Sequence, residues 1–380
     1  MRPSPLPTPD VDARDASRAL AERIAAEIRA HGGWISFARY MELALYDPQF
    51  GYYASGAGQL GRGGDFVTAP ELSPLFGRTL ARGIAALLQP GEGILEFGGG
   101  SGALAAQICG ELEALGAGTP PYHLLETSHG LRARQRERLG DRVQWLERIP
   151  ERFRGVMLAN EVVDAMPVNA LAWTADGIME RGACINEGRL AWCERPAAGE
   201  PLDAARALEI AIPDSGRYES ELSLAGPAWI RALAASLERG VILVLDYGFP
   251  RREFYHPQRS MGTLMCHYRH RAHGEPFFYP GLQDITAHVD FSALARAAEE
   301  SGLEILGYSD QAQFLVNCGI TDLLEACDPS EVSRYAPLAA SAQMLLSPAE
   351  MGELFKVLAL GRGVDAPLRG FDHGDRSHTL

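Results

Sequence analysis

Leu20, Ile24 and Ile28 recur at four-residue steps, and a second apolar stripe of Phe37, Tyr40, Met41, Ala44 and Leu45 follows Ser36. This spacing predicts two amphipathic helices. Further on, Pro74 is placed to open another helix. From Gly93 the pattern changes to short apolar runs separated by longer stretches. Ile94-Leu95-Glu96-Phe97, Tyr122-His123-Leu124-Leu125, Val143-Gln144-Trp145-Leu146 and Val156-Met157-Leu158-Ala159 read as four strands, with a helix from Ala103 to Leu115 after the first. That alternation describes half of a doubly wound sheet. Between Leu171 and Glu194 the runs shorten around Ala175-Asp176-Gly177 and Asn186-Glu187-Gly188, which are turn signals of a β-meander. A helix around Trp229 to Leu237 and the buried run Val241-Ile242-Leu243-Val244-Leu245 restore the parallel pattern, so an insertion splits the core. Near the end, Ser347-Pro348-Ala349-Glu350 has the order of a capping box and predicts a last helix stopped by Gly361.

The expected fold is therefore α/β: a Rossmann-like, mostly parallel, doubly wound sheet with an N-terminal helical region and an inserted β-meander and helical segment. The chain divides on this reading into a disordered, proline-rich tail (1–15), a helical and loop region (16–90), the first half of the core (91–170), a substrate-facing insertion (171–235), the second half of the core (236–316) and a C-terminal helical region (317–380).

With 380 residues, 46% of them hydrophobic, the chain is long enough for a full core and an accessory region. Its formal net charge of −14 argues against nonspecific binding to nucleic-acid phosphates and is compatible with a cationic protein or peptide substrate. Of 35 basic residues only Lys356 is a lysine, which reads as coding bias. Cys109, Cys184, Cys193, Cys266, Cys318 and Cys327 include no C-x-x-C pair and are expected to be structural thiols. No signal-like segment opens the chain, and Asp10, Asp12 and Asp15 are foreign to a transit peptide. No apolar run approaches the roughly 18 residues of a membrane span. These features lead to an expected cytoplasmic location without membrane insertion. His267, His270 and His273 have arginines between them and no completing ligand, so no metal is expected. Ser101 lacks the G-x-S-x-G frame of a nucleophilic serine.

The chemistry gathers at Ile94-Leu95-Glu96-Phe97-Gly98-Gly99-Gly100-Ser101-Gly102. Glycines 98, 100 and 102 let the backbone approach a ligand, and the helix that follows points its first N–H groups at a bound anion. Gly98, Gly100 and Ala103 also satisfy a dinucleotide fingerprint, so the glycines alone leave NAD(P) and S-adenosylmethionine both open. Glu96, at the strand tip, would repel a pyrophosphate and can hold the methionine ammonium of S-adenosylmethionine. Glu126, at the next strand end, is placed for a ribose diol in either cofactor.

Asn160, Glu161 and Asp164 follow the fourth strand, where open α/β sheets present side chains to ligands. An amide and two carboxylates there can orient an amine or guanidinium nucleophile, and the same residues would also suit a capped connection. Asp65 and Thr68, in the segment Gly64-Asp65-Phe66-Val67-Thr68, are candidates to close over the cofactor or to cap the following helix. His288 and Asp290 form a third polar pair of a kind common in ordinary turns.

YMELALYDPQFGYY, GDFVTAPELSPLFG, ILEFGGGSG, YHLLETS, ANEVVDAMPV, LDYG, DITAHVDFSAL and MGELFKVL occur in this order over nearly the whole chain. Together they resemble the MidA-like methyltransferases, a family that includes a mitochondrial complex I assembly factor acting as a protein arginine methyltransferase. The resemblance implies a class I S-adenosylmethionine fold, with Gly98, Gly100, Gly102 and Glu126 at the cofactor and the NEVVDAMPV and GDFVT segments around the transfer site. Phe97 and Gly99 stand where relatives often carry Leu and a Gly or Pro. The activity expected is methyl transfer to a protein arginine nitrogen, with a respiratory-complex subunit as one candidate substrate. An assembly protein that keeps the cofactor pocket, a small-molecule methyltransferase and an NAD(P) oxidoreductase are the competing readings.

Overall fold

A computed structural model of the chain describes residues 6–54 and 68–380. The described residues form two compact units, one drawn from 68–163, 227–251 and 290–380 and the other from 6–54, 164–226 and 252–289.

The first unit is built on a sheet whose main strands are β1 (Gly93–Phe97), β2 (Tyr122–Leu125), β3 (Gln144–Leu146), β4 (Phe153–Asn160), β5 (Leu237–Phe249), β6 (Glu304–Asp310) and β7 (Phe355–Arg362). Their spatial order is β3-β2-β1-β4-β5-β7-β6. The pairs from β3 to β5 are parallel, and β7 runs antiparallel to both neighbours. All five residues of β1 are buried, as expected of a strand covered on both faces. Helices α1 (Ala103–Ala114) and α2 (His129–Leu139) follow β1 and β2. The core joins Ile94, Leu104, Ile108, Leu124, Val156, Leu158, Leu243 and Val357 with Leu75, Phe76 and Leu80 of the helix Pro74–Ile84, whose cap is Ser73. Gly93, Gly155 and Gly240 lie side by side across β1, β4 and β5. Gly155 and Gly240 have φ of 129° and 134°, and a Cβ on either would overlap the backbone carbonyl of the glycine beside it.

In the second unit, the helices Val11–Ala30 and Phe37–Tyr46 bury the two predicted stripes in one cluster with Val168, Ala170, Ala183, Cys266 and Ile285. Asp10 caps the first helix by accepting the Ala13 N–H at 2.8 Å, and Ser36 caps the second by accepting that of Arg39 at 3.2 Å. Strands Asn169–Thr174, Gly177–Asn186, Arg189–Pro196 and Arg217–Leu222, with Ile35–Ser36, make an antiparallel sheet whose turns match the predicted meander.

Several expectations need correction. Val11–Asp15 are helical and do not belong to the disordered tail expected over 1–15. The span 236–316 is not continuous core, because residues 252–289 belong to the second unit. They include the strands Met265–Tyr268, Arg271–His273 and Asp284–Thr286. The turn between the first two uses Arg269 and His270 at φ of 49° and 60°, a left-handed pair usually made by Asn and Gly, so it carried no turn signal. The C-terminal region is not wholly helical, and no helix runs to Gly361. Ser347 instead ends the helix Val332–Leu346, and Phe355–Arg362 is strand β7. Phe355 through Gly361 are buried in succession, so insertion between β5 and β6 overrides a local pattern that suited a helix. Finally, Cys184 and Cys193 are not free thiols but a disulfide across the hairpin of Gly177–Asn186 and Arg189–Pro196, with Cα atoms 5.9 Å apart. Neighbouring strands bring together cysteines that a C-x-x-C search does not connect.

Candidate active site

In the sheet order, β1 leads on to β2 and β3 on one side while β4 and β5 lie on the other. The crevice at the carboxyl ends of β1 and β4 is thus the topological switch point, where open α/β sheets bind ligands. β1 ends there in the glycine loop. Gly98, Gly100 and Gly102 have φ of 61°, 52° and 80°, all in the left-handed region. The loop is held from below, with Gly98 N–H donating to Leu125 O at 3.0 Å and Gly102 N–H to Gly99 O at 2.8 Å. A Cβ on Gly102 would lie 3.0 Å from Leu139 Cδ1, so a side chain there would also press on α2. No side chain caps α1, which leaves its first N–H groups directed at the crevice.

Glu126, at the end of β2, is buried, with Oε1 accepting the Ser128 N–H at 2.9 Å and Oε2 accepting Gln135 Nε2–H at 3.1 Å. Burial pushes its carboxyl up, partly offset by these hydrogen bonds. Each carboxylate oxygen can accept more than one hydrogen bond, so both retain capacity for a diol. Glu96 is also buried, beneath the loop, with Oε2 accepting the Tyr122 hydroxyl at 2.6 Å. Burial pushes its carboxyl up to about 7 against the lowering effect of Tyr122, and the Glu126 charge adds to the rise.

β4 ends at Asn160, and Glu161 follows at φ 54°, a strained conformation for a residue with a side chain. Asn160 Nδ2 donates to Glu161 Oε1 at 3.1 Å, while Asn160 Oδ1 is buried with no hydrogen-bond partner among the described residues. The turn is fastened to β5: Glu161 N–H donates to Leu245 O, and Val163 N–H donates to Asp246 Oδ2, both at 2.9 Å. Asp246 is fully buried. The sequence pattern gave it only a place in the LDYG string and no role.

Thr68 is half-buried at the start of the short helix Ala69–Leu72, where its carbonyl accepts the N–H groups of Glu71 and Leu72. Glu71 then accepts the Ser101 hydroxyl, and Arg138 bonds both Ser101 Oγ, at 2.6 Å, and Glu71, at 3.2 Å. The segment after Thr68 is thereby tied to the glycine loop through residues that the sequence pattern did not single out. Asp65 lies outside the described residues. Asp164 belongs to the second unit, where its backbone carbonyl accepts the Ala287 N–H at 3.0 Å, while Asn160 and Glu161 belong to the first. Asp290 caps the helix Phe291–Glu300 and pairs with Arg251, a structural duty, and His288 N–H donates to Thr263 Oγ1. Among the described residues no cluster of metal-ligating side chains is present.

Residues 75–309 match the Methyltransf_28 family, described as S-adenosyl-L-methionine-dependent methyltransferases. The chain belongs to this family. A Methyltransf_28 assignment agrees with the solved structure of a COG1565 superfamily member from Burkholderia thailandensis bound to S-adenosyl-homocysteine. That protein is 51% identical, with a TM-score of 0.95 over 99% of this chain and all of that one. Curated relatives include the protein arginine methyltransferase NDUFAF7, mitochondrial, of Danio rerio, 31% identical over 90% of this chain and 87% of its own length. The human protein of the same name is 30% identical over 86% of this chain and 80% of its own.

This Methyltransf_28 protein is therefore a methyltransferase that uses S-adenosyl-L-methionine, not an NAD(P) oxidoreductase. The site suits that cofactor. The loop's backbone can approach closely, acids rather than arginines stand at the strand ends, and α1 offers N–H groups to a carboxylate. When bound, the cofactor supplies a sulfonium methyl group as electrophile.

Proposed function

We propose that the chain methylates a protein side-chain nitrogen, that of arginine before others. The observation that carries this reading is the pair at the end of β4: a carboxylate held at positive φ beside an amide oxygen that has no partner among the described residues. A guanidinium has five N–H donors and no acceptor, so it is matched by a carboxylate and a carbonyl oxygen. Relatives named protein arginine methyltransferases support the same substrate class. In this reading Gly98, Gly100, Gly102, Glu96 and Glu126 hold the cofactor, Thr68 borders it, and Asn160 and Glu161 orient the nucleophile. Positioning dominates, since near-attack alignment supplies about 7–11 kcal/mol. A respiratory-complex subunit is the finer candidate for the substrate and the cytoplasm for the location, each tested by identifying the labelled polypeptide and by fractionating cells.

The decisive experiment incubates purified protein and methyl-labelled cofactor with extract from cells lacking the protein, followed by hydrolysis of labelled bands to amino acids. Methylarginine is the expected product. Label only in small molecules would overturn the protein-substrate reading. Glu161→Ala should slow turnover by about 10²–10⁴-fold while leaving S-adenosyl-homocysteine binding unchanged.

A further inference from the structure

Gln135, on the inner face of α2, is fully buried in a place that a hydrophobic residue would ordinarily occupy. Its amide meets three groups. Nε2 donates to the Gly100 carbonyl at 2.9 Å and to Glu126 Oε2 at 3.1 Å, and Oε1 accepts the Trp145 indole N–H at 2.8 Å. The orientation of the amide is not arbitrary. An indole N–H only donates, whereas a carbonyl and an ionised carboxylate only accept, so the reversed amide would lose all three bonds. Both Nε2 hydrogens are therefore committed, one to the glycine loop and one to the acid at the end of β2.

We infer that Gln135 is a positioning residue for the cofactor, setting the glycine loop and Glu126 at a fixed separation. The inference rests on the proposed placement of the cofactor against Gly98–Gly102 and Glu126. By occupying the Gly100 carbonyl, the amide fixes the direction of that peptide. By occupying Oε2 of Glu126, it fixes the carboxylate plane from which a diol would be received. Trp145 on β3 in turn fixes the amide, and Arg136 lies over the Trp145 ring at 5.3 Å. Such preorganisation removes from binding the cost of ordering two separate segments. Gln135→Met preserves length and fills the space but provides no hydrogen bonds. Gln135→Glu keeps an acceptor for Trp145 while placing a second carboxyl group against Glu126.

The test measures S-adenosyl-homocysteine binding by calorimetry for the full chain and for Gln135→Met, Gln135→Glu, Trp145→Phe and Glu126→Ala, with melting temperatures alongside. In parallel, chains labelled with fluorotryptophan are titrated with S-adenosyl-homocysteine, and the Trp145 resonance is assigned from Trp145→Phe. Both Gln135 variants should bind about 10- to 100-fold more weakly, the range set by leaving buried polar groups unpaired. The Michaelis constant for S-adenosylmethionine should rise, with turnover at saturation changed far less. The Trp145 resonance should move on titration in the parent chain and stay still in Gln135→Met. If Gln135→Met does not fold, Gln135→Glu and Trp145→Phe decide, the latter with a smaller loss in the same direction. Folded Gln135 variants that bind within about twofold of the parent, while Glu126→Ala does not bind, would overturn the positioning role and leave the cofactor placement standing. Normal binding by Glu126→Ala would overturn that placement and the inference with it.

Discussion

Glu96 links the stability of the core to pH. Its carboxyl, 2% exposed beneath the glycine loop, is pushed by burial up to about 7 from an ordinary 4.5. Because the folded state holds this proton more tightly than the unfolded state, the stabilisation is fully present below pH 4.5 and is lost as pH rises through 7. The rise from 4.5 to about 7 corresponds to a loss of about 3 kcal/mol. Glu96→Gln leaves an oxygen to accept the Tyr122 hydroxyl and cannot ionise. Urea unfolding followed by circular dichroism should therefore show the variant gaining about 3 kcal/mol on the parent between pH 4.5 and pH 8. Titrating groups that do not interact with Glu96 are common to both proteins and cancel. If Glu96 also holds the cofactor ammonium, binding near pH 6 should release a proton from the parent and none from Glu96→Gln, measurable by calorimetry in buffers of different ionisation enthalpy. A gap between the two unfolding curves that does not change with pH would refute the reasoning.

Gly155→Ala forces a Cβ against the Gly93 carbonyl from a backbone at φ 129°, so it should cost about 3 kcal/mol or more, read as a lower urea midpoint. Asp246→Ala leaves the buried Val163 N–H unpaired and frees the turn that carries Glu161. Turnover should fall at least tenfold with S-adenosyl-homocysteine affinity retained, as measured by steady-state kinetics and calorimetry. Cys193→Ser opens the disulfide loop of sequence separation 9 and should lower stability by about 2–3 kcal/mol under oxidising conditions, with no difference from the parent under reductant.

The helices and parallel strands were legible because their signals are local. Leu20, Ile24 and Ile28 declare a helical face, Ser36 its successor's cap, and the apolar run Val241–Leu245 a strand buried on both sides. The glycine loop and the strand-end acids could be read because their spacing places them at one sheet edge. Contacts between distant segments were not readable. Gln135 looks like an ordinary polar helix residue until β3 brings Trp145 to it, and nothing near Asp246 in sequence announces that it holds Val163. β7 was misread for the same reason: its burial comes from β5 and β6, while its own residues also suit a helix.

The three adjoining glycines at the amino ends of β1, β4 and β5 have a consequence for how this sheet can change. In most cores a larger side chain at one position can be accommodated by trimming a neighbour. Here the obstruction at Gly155 and Gly240 is the backbone carbonyl of the glycine beside it, which no companion side-chain substitution can remove. The two edges of the sheet are thus unequal for redesign: the end bearing the acids can exchange chemistry by replacing side chains, whereas the opposite end admits new residues only if the strands themselves move apart.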